Sequence, residues 1–568
     1  MHRVNEFFAM ITREFAGYDR RRLQQDIVAG ITVAAVCLPL ALAYGIAGGM
    51  TAAAGLVTAI IAGLITGALG GTSFQMSGPT GAMSAVLLVI LHQNGIIEVY
   101  YATLFGGLFL ILMGLFRFGR YVVYIPTPVI TGFTCGIALI IVMSQIDPML
   151  GVHTPSAATA IGKFSGYFSQ EITISAPALV CTIATIFLLW FTKTYLPRVP
   201  DALAAMTLTT LAAWIFALPL ERIGTLPHTI LLAEHLTAVD IPWEIISDSS
   251  MAGISIAMLA AIESLMTGTA GAAMSGKAFD ADQELIAQGA ANLVVPWFGG
   301  IPSSAAISRT AVAIRSGAQT RLTSIIHALM LLACVFVLGP VIAAVPMASL
   351  AGVLIWTAWN MCDWQTIRRF WYAKLSHPWV GVLATFGATI IFDLSQSIVI
   401  GIVASALAHV RHAAAAANVT IAAVGGTQNP DGLLPSTCPG VRVASINGAL
   451  FFGNAVAIQK QLIQDEACHT LVVSMAGVPS IDLQAADMLH QTLRAVLAHG
   501  GNVYLAGVQP AVRTVLDQVG VTADIGDTQY CWDAPSALMR INEEMAQHGC
   551  VRCQEDTHHI SDGTAPML

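Results

Sequence analysis

Over its first 417 residues the chain alternates long apolar stretches with short polar breaks. From Ile27 to Phe116 a single charged residue, Glu98, interrupts the run. In water such a stretch would aggregate. In a bilayer, where a spanning helix needs about 20 apolar residues, it divides into three or four spans. Carried on to Ala417, the pattern predicts fourteen spans near 27–47, 52–72, 76–92, 100–118, 121–145, 172–195, 201–218, 249–271, 284–300, 303–316, 321–345, 347–361, 378–392 and 394–412. After Asn418 the texture changes. Gly and Pro clusters over 418–440 predict a linker. Then strand-like and helix-like patterns alternate: strands at 441–446, 449–452, 470–475 and 502–506, helices at 455–465, 483–498 and 511–519. That alternation predicts a small α/β domain over 441–546, followed by a tail, 547–568.

Composition fits this division. Hydrophobic residues make up 56% of the 568 positions and charged residues 10%, against about 25% charged in soluble proteins. An ordinary soluble enzyme is excluded for most of the length. The net charge of −8 lacks the basic excess of a nucleic-acid binder. Residues 1–417 carry 19 basic and 19 acidic side chains, so the whole −8 belongs to the C-terminal region. The 26 residues before the first span show no signal-peptide pattern, and Arg20, Arg21 and Arg22 place them in the cytoplasm. With that orientation 17 of the 19 basic residues face the cytoplasm; only Lys163 and Arg222 fall outside. The C-terminus is then cytoplasmic too. The ten scattered cysteines are expected to stay reduced.

A shift of 223 residues superposes Ala29-Gly30-Ile31 on Ala252-Gly253-Ile254, and Pro79-Thr80-Gly81-Ala82 on Pro302-Ser303-Ser304-Ala305. Each match opens corresponding spans, the first and third of two halves. Seven spans per half is odd, so the halves are expected to be inverted, as in many transporters. Spans three and ten open on Gly-Pro breaks. Non-helical backbone at membrane depth survives only where it lines a cavity or is buried in protein. Two half-helices starting there aim free N–H groups, and about half a positive charge each, at one spot. That arrangement predicts an anion site. The bland alternative is a pair of packing kinks.

Ionisable groups inside spans are costly and functional by default. Glu263 lies in the middle of span eight and Arg309 in span ten. Arg309 can supply a full positive charge behind the helix ends. Glu263 can take a proton or hold sodium, and Thr267, four residues on, shares its face. The structural alternative is an Arg309–Glu263 salt bridge. His327 and Asp393 are read as structural. The near-Walker stretch Gly271–Ala278 ends in Ala where a magnesium ligand is needed and follows no strand, so it is set aside. Gly63, Gly67 and Gly71 have the spacing of close helix packing. In the tail, His548, Cys550, Cys553, His558 and His559 fit no zinc spacing well, so no metal or other cofactor is expected.

Several stretches together resemble the sulfate permease family of anion transporters, whose animal relatives include the motor protein prestin. They are Asp26-Ile27-Val28-Ala29-Gly30 with Pro39 and Ala43-Tyr44, Ser77-Gly78-Pro79-Thr80, Glu263-Ser264-Leu265, Gln283-Glu284-Leu285 with Gln288-Gly289 and Asn292, and Gly300-Ile301-Pro302 followed by Ile307-Ser308-Arg309-Thr310. The resemblance covers Asp26 to about Met545. The C-terminal domain is similar to STAS domains and to bacterial anti-sigma-factor antagonists. The resemblance implies a helical membrane protein of seven-plus-seven inverted spans, split into core and gate, with a cytoplasmic STAS domain, usually as a homodimer. It implies elevator-type movement and an anion site between spans one, three, eight and ten. By position that site comprises Tyr44, Thr80, Ala306, Ile307, Ser308 and Arg309, with Glu263 and Thr267 for the coupling ion, H⁺ or Na⁺. Glu263 replaces the Asp of sodium-coupled bicarbonate members, which favours protons. Leu40 stands where many members carry Gln. Leu483 stands where the antagonists carry a phosphorylated Ser, so kinase switching is not expected there. The partners implied are a sulfate, bicarbonate or dicarboxylate anion, the bilayer, and a basic cytoplasmic protein at the acidic STAS domain. Nucleobase uptake, an uncoupled anion channel and a STAS-mediated scaffold are the alternatives.

Overall fold

The computed structural model describes residues 2–152, 154, 174–196, 199–224, 227, 229–237, 243–374, 376–392, 394–423, 440–463 and 469–548. Lys163, Asp393 and the tail residues Cys550, Cys553, His558 and His559 lie outside these, as does the side chain of His548. The chain forms two units, 1–405 and 406–568.

Unit one is helical. Its elements are α1 (His2–Glu14), α2 (Arg20–Ala47), α3 (Ala52–Leu69), β1 (Ser77–Gly78), α4 (Gly81–Asn94), α5 (Ile96–Leu115), α6 (Thr127–Ser144), α7 (Ile146–Leu150), α8 (Ala176–Tyr195), α9 (Asp201–Ile215), α10 (Trp243–Ser275), α11 (Ala281–Val294), β2 (Ser304–Ala305), α12 (Ile307–Arg315), α13 (Leu322–Ala343), α14 (Met347–Met361), α15 (Trp364–Tyr372), α16 (Ser376–Ile391) and the first half of α17 (Leu394–Ala416), whose second half is counted with unit two. A helix occupies each predicted apolar segment. By length and composition, eight of the described helices suffice to cross a membrane. The amphipathic helices α1 and α15 and the short α7 carry no long apolar run and were not expected from it.

Packing partners fall into two groups. α2 packs on α3 and α13, and α5 on α10 and α11, whereas α6 packs on α16 and α8 on α9 and α14. Small residues set the closest approaches in the first group. A Cβ on Gly107 would lie 2.7 Å from the Gly289 carbonyl oxygen, so α5 and α11 meet backbone to backbone. Gly63 and Gly67 seat α13: their Cβ positions fall 3.1 Å from the side chains of Ala328 and Ser324.

Several boundaries differ from the sequence reading by a few residues, and two of them shape the site. Span three was expected from residue 76 and span ten from 303, but their helices start at Gly81 and Ile307. The residues before them are extended and pair with each other as a two-residue antiparallel ribbon, Ser77 with Ala305 and Gly78 with Ser304. No local pattern announces a pairing between segments so far apart. Most of the near-Walker stretch is the end of α10, which runs to Ser275 and where Gly271 packs on Phe74; only its last three residues, 276–278, leave the helix.

Unit two holds a five-stranded sheet in the order β3 (Asn418–Ala423), β4 (Val441–Asn447), β5 (Thr470–Gly477), β6 (Asn502–Ala506), β7 (Tyr530–Cys531). β3 runs antiparallel to β4 and the others are parallel. The alternation of side chains sorts the core into two layers. Ala444, Ile446, Leu471, Val473, Val503 and Leu505 face helices α18 (Ala455–Ile463), α19 (Leu483–Ala498) and α20 (Pro510–Val519). Val443, Val472 and Tyr504 face the C-terminal helix, residues 534–548. The segment Asn418–Ala423, expected to open the linker, is an edge strand, because Val419, Thr420 and Ile421 favour pleated backbone. The expected strand at 449–452 reduces to one bridge, Leu450 with Ile481.

Candidate functional site

The two breaks leave backbone groups without helical partners in a buried setting, and side chains from three helices satisfy them. On α11, Glu284, Gln288 and Asn292 are spaced four apart and share one buried face. Glu284 Oε2 accepts from the Gly71 N–H at 3.0 Å, Gln288 Nε2 donates to Ser77 Oγ at 2.5 Å, and Asn292 Oδ1 accepts from the Ser303 N–H at 2.8 Å. Thr58 on α3 accepts from the Ile301 N–H at 2.7 Å. On α10, Ser264 Oγ accepts from the Ala305 N–H at 3.1 Å, and its carbonyl accepts from Gln75 Nε2 at 3.1 Å. The polar residues quoted with Glu263 and along α11 thus hold both breaks in place.

Glu263 joins the breaks directly. Its Oε2 accepts from Thr80 Oγ1 at 2.8 Å and from Ser304 Oγ, and those hydroxyls lie 3.0 Å apart. Thr80 also caps α4, accepting from the Met83 N–H at 3.3 Å. The N-cap of α12 is Ala306, with no side-chain cap, so the first N–H groups of α12 have no side-chain partner there.

A cavity of about 320 Å³ opens at this junction. Tyr44, Thr80, Glu263, Thr267, Ala306, Ile307 and Ser308 all line it. The facing wall is mostly apolar, with Val129, Phe133, Ile137 and Ile398, relieved by Thr134, Thr357 and Asn360. Thr267 turns its hydroxyl to the Ala305 carbonyl, 3.4 Å away. Arg309 is the one predicted residue that does not line the cavity. Its side chain, 1% exposed, donates to the Pro79 carbonyl at 3.0 Å and to Cys37 Sγ at 3.4 Å. Among the described residues no ion pair joins it to Glu263, so the simple salt bridge is not formed. Gly78 makes room for the guanidinium: at φ 153° its Cβ would lie 2.7 Å from Arg309 Nη1. Leu40 is buried and does not line the cavity.

Sequence reasoning assigned no role to Ser304, Gln75 or Ser264. Ser304 is reached only by knowing that the extended pair 304–305 meets β1. The Glu-Ser and Gln-x-x-x-Asn spacings were visible signals. His327 is buried against Gly63, with both ring nitrogens unpartnered among the described residues. In unit two, Asp482 caps α19 through the Ala485 N–H at 2.8 Å and also accepts from the Phe452 N–H at 2.8 Å. Leu483 beside it is 64% exposed and offers no hydroxyl.

Residues 23–378 match the model of the sulfate permease family, and 436–530 match the STAS domain. A putative sulfate transporter, YvdB, of Bacillus subtilis (strain 168) is 30% identical over 91% of this chain and 97% of its own length. The bicarbonate transporter BicA of Picosynechococcus sp. (strain ATCC 27264 / PCC 7002 / PR-6) is 28% identical over 96% of this chain and 98% of its own. The structure of the murine Solute Carrier 26 family member A9 anion transporter in the inward-facing state superposes with a TM-score of 0.78, covering 93% of this chain and 92% of that one, at 17% identity. The fold is therefore shared even where sequence is not. With apolar helices throughout unit one and matches that run nearly end to end, this is a multi-pass membrane protein, and the chain belongs to the sulfate permease family.

Proposed function

We propose that this protein is a secondary active transporter of a small anion, of the sulfate, bicarbonate or dicarboxylate class, driven by proton symport through alternating access. The observation that carries the proposal is Glu263, bonded to hydroxyls of both breaks at the edge of the cavity. The anion is held by the uncapped start of α12, at Ile307 and Ser308, and by the Ser308 and Tyr44 hydroxyls. Arg309 adds positive charge from behind, through a region of low dielectric where its field is little screened. Ionised, Glu263 accepts from Thr80 and Ser304. Once protonated on Oε2, the oxygen that accepts both bonds, it becomes a donor there and one of them rearranges. Proton binding is thereby coupled to the geometry of both helix ends. The elevator reading, with seven-plus-seven inverted spans, cytoplasmic termini and a homodimer, accompanies this proposal on family resemblance and on the charge bias of the loops.

Sodium is the second reading. The oxygens of Glu263, Thr80 and Ser304 converge as hard-cation ligands do. Uptake of labelled sulfate, bicarbonate and fumarate into proteoliposomes, under imposed H⁺ or Na⁺ gradients, decides between the two. Accumulation driven by an inward proton gradient is expected for at least one anion. Accumulation driven only by sodium would replace the proton reading, and no accumulation under either gradient would overturn both.

A further inference from the structure

The helix α15 lies between two apolar helices, α14 and α16, and is itself amphipathic, so it sits at a membrane–water boundary. Asp363 caps it through the Thr366 N–H at 3.0 Å. Phe370 turns inward. Trp364, Arg368, Trp371 and Tyr372 share the outward face at i, i+4, i+7 and i+8. Trp371 and Tyr372 are 72% and 77% exposed. Trp359 leans over from the end of α14, its ring centroid 4.6 Å from that of Trp364, and the Trp364 indole N–H donates to the Trp359 carbonyl at 2.9 Å. With Ile367 and Arg368 these aromatics line an open groove of about 450 Å³. Arg368 and Arg369 are exposed, and neither side chain has an acidic partner among the described residues.

Three tryptophans and a tyrosine around an unpaired cation are costly to leave in bulk water. They suit the headgroup layer, where an indole has an apolar body and a polar edge to satisfy. The charge bias of the loops puts Arg368, Arg369 and Lys374 on the cytoplasmic side, whose leaflet carries anionic lipid. We propose that this groove binds an anionic phospholipid, its phosphate on Arg368 in the groove wall, with the neighbouring Arg369 adding positive charge at the same headgroup level, and its upper acyl chains along Trp359, Trp371 and Tyr372. A soluble anion has no use for the aromatic wall, which commits the site to lipid. The site lies apart from the transport cavity, although Asn360 and Met361 of that cavity's wall directly follow Trp359. Lipid occupancy therefore bears on the cavity wall through α14.

The test uses the full chain in nanodiscs of equal phosphatidylglycerol and phosphatidylcholine, followed by native mass spectrometry of the released protein. The wild type is expected to retain phosphatidylglycerol in preference to phosphatidylcholine. Preference should fall about fivefold for each Arg removed, in R368Q and R368Q/R369Q, while R368K/R369K keeps most of it. All three changes are at exposed positions, and W364A, which keeps both charges, should weaken retention of either lipid. Equal retention of the two lipids, or unchanged preference in R368Q/R369Q, would overturn the proposal. So would displacement of the lipid by soluble glycerol phosphate, or crosslinking of W371C between two copies with lipid excluded, which would make the groove a protein contact.

Discussion

The two breaks look alike in sequence and are built differently. In the first, Thr80 directly follows Pro79 and caps α4. In the second, four residues separate Pro302 from its helix, and the cap position falls to Ala306. The 223-residue register places Ser303 opposite Thr80, but Ser303 is held by Asn292 well before α12 begins. The first helix end is thus closed by its own hydroxyl, and the second faces the cavity open. Arg309, from the open side, reaches back to the carbonyl of Pro79 on the closed side. The difference teaches that like breaks can end in a capped helix and an uncapped one; on the proposed function the uncapped end is the one that takes the anion.

The strongest way to break this comparison is to remove the residue that spans it. Arg309→Ala should cut uptake roughly 100-fold, the scale of losing a preorganised donor at a developing charge, while the protein still elutes as a dispersed species. Arg309→Lys should recover only part, since an ammonium cannot fork between Pro79 and Cys37. Unchanged uptake in Arg309→Ala would remove the anion site from this junction. Next in size is Glu263→Gln: proton-driven accumulation should vanish while anion exchange at equal pH persists. A mutant still driven by a proton gradient would place coupling elsewhere. Ala306→Ser closes the open end. It should stabilise α12 by about 1 kcal/mol and raise the half-saturating anion concentration roughly fivefold, because the anion competes with the new cap. The smallest effect is expected outside both breaks. Tyr504→Phe removes a 2.6 Å bond to Glu544 and should destabilise unit two by about 1 kcal/mol, measured by its thermal transition, with uptake unchanged.

What was legible in the sequence follows from the range of the interactions. Apolar runs and the strand–helix alternation after 440 are local patterns, and elements formed where they predicted, except the strand at 449–452, which is a single bridge. Glu263 and Arg309 stood out because charge at membrane depth is rare. The asymmetry of the breaks was not legible, because it depends on where each extended segment ends, and β1 and β2 fix each other's ends only by pairing. A charge from Arg309 behind the helix ends was legible; its partners, the Pro79 carbonyl and the slot at Gly78, were hidden for the same reason. The amphipathic α15 was overlooked because a nine-residue helix with two Arg breaks the apolar count on which spans are found.

The ribbon also bears on how the chain is made. Thr80 and Ser304 are 224 residues apart. At a synthesis rate of about 5–20 residues per second, the first break is translated roughly 10–45 s before the residues that complete it. During that interval Ser77, Gly78 and the Thr80 hydroxyl lack their permanent partners. Stalled translation just before Gln288 is therefore expected to leave the first break more open to proteolysis than the finished chain.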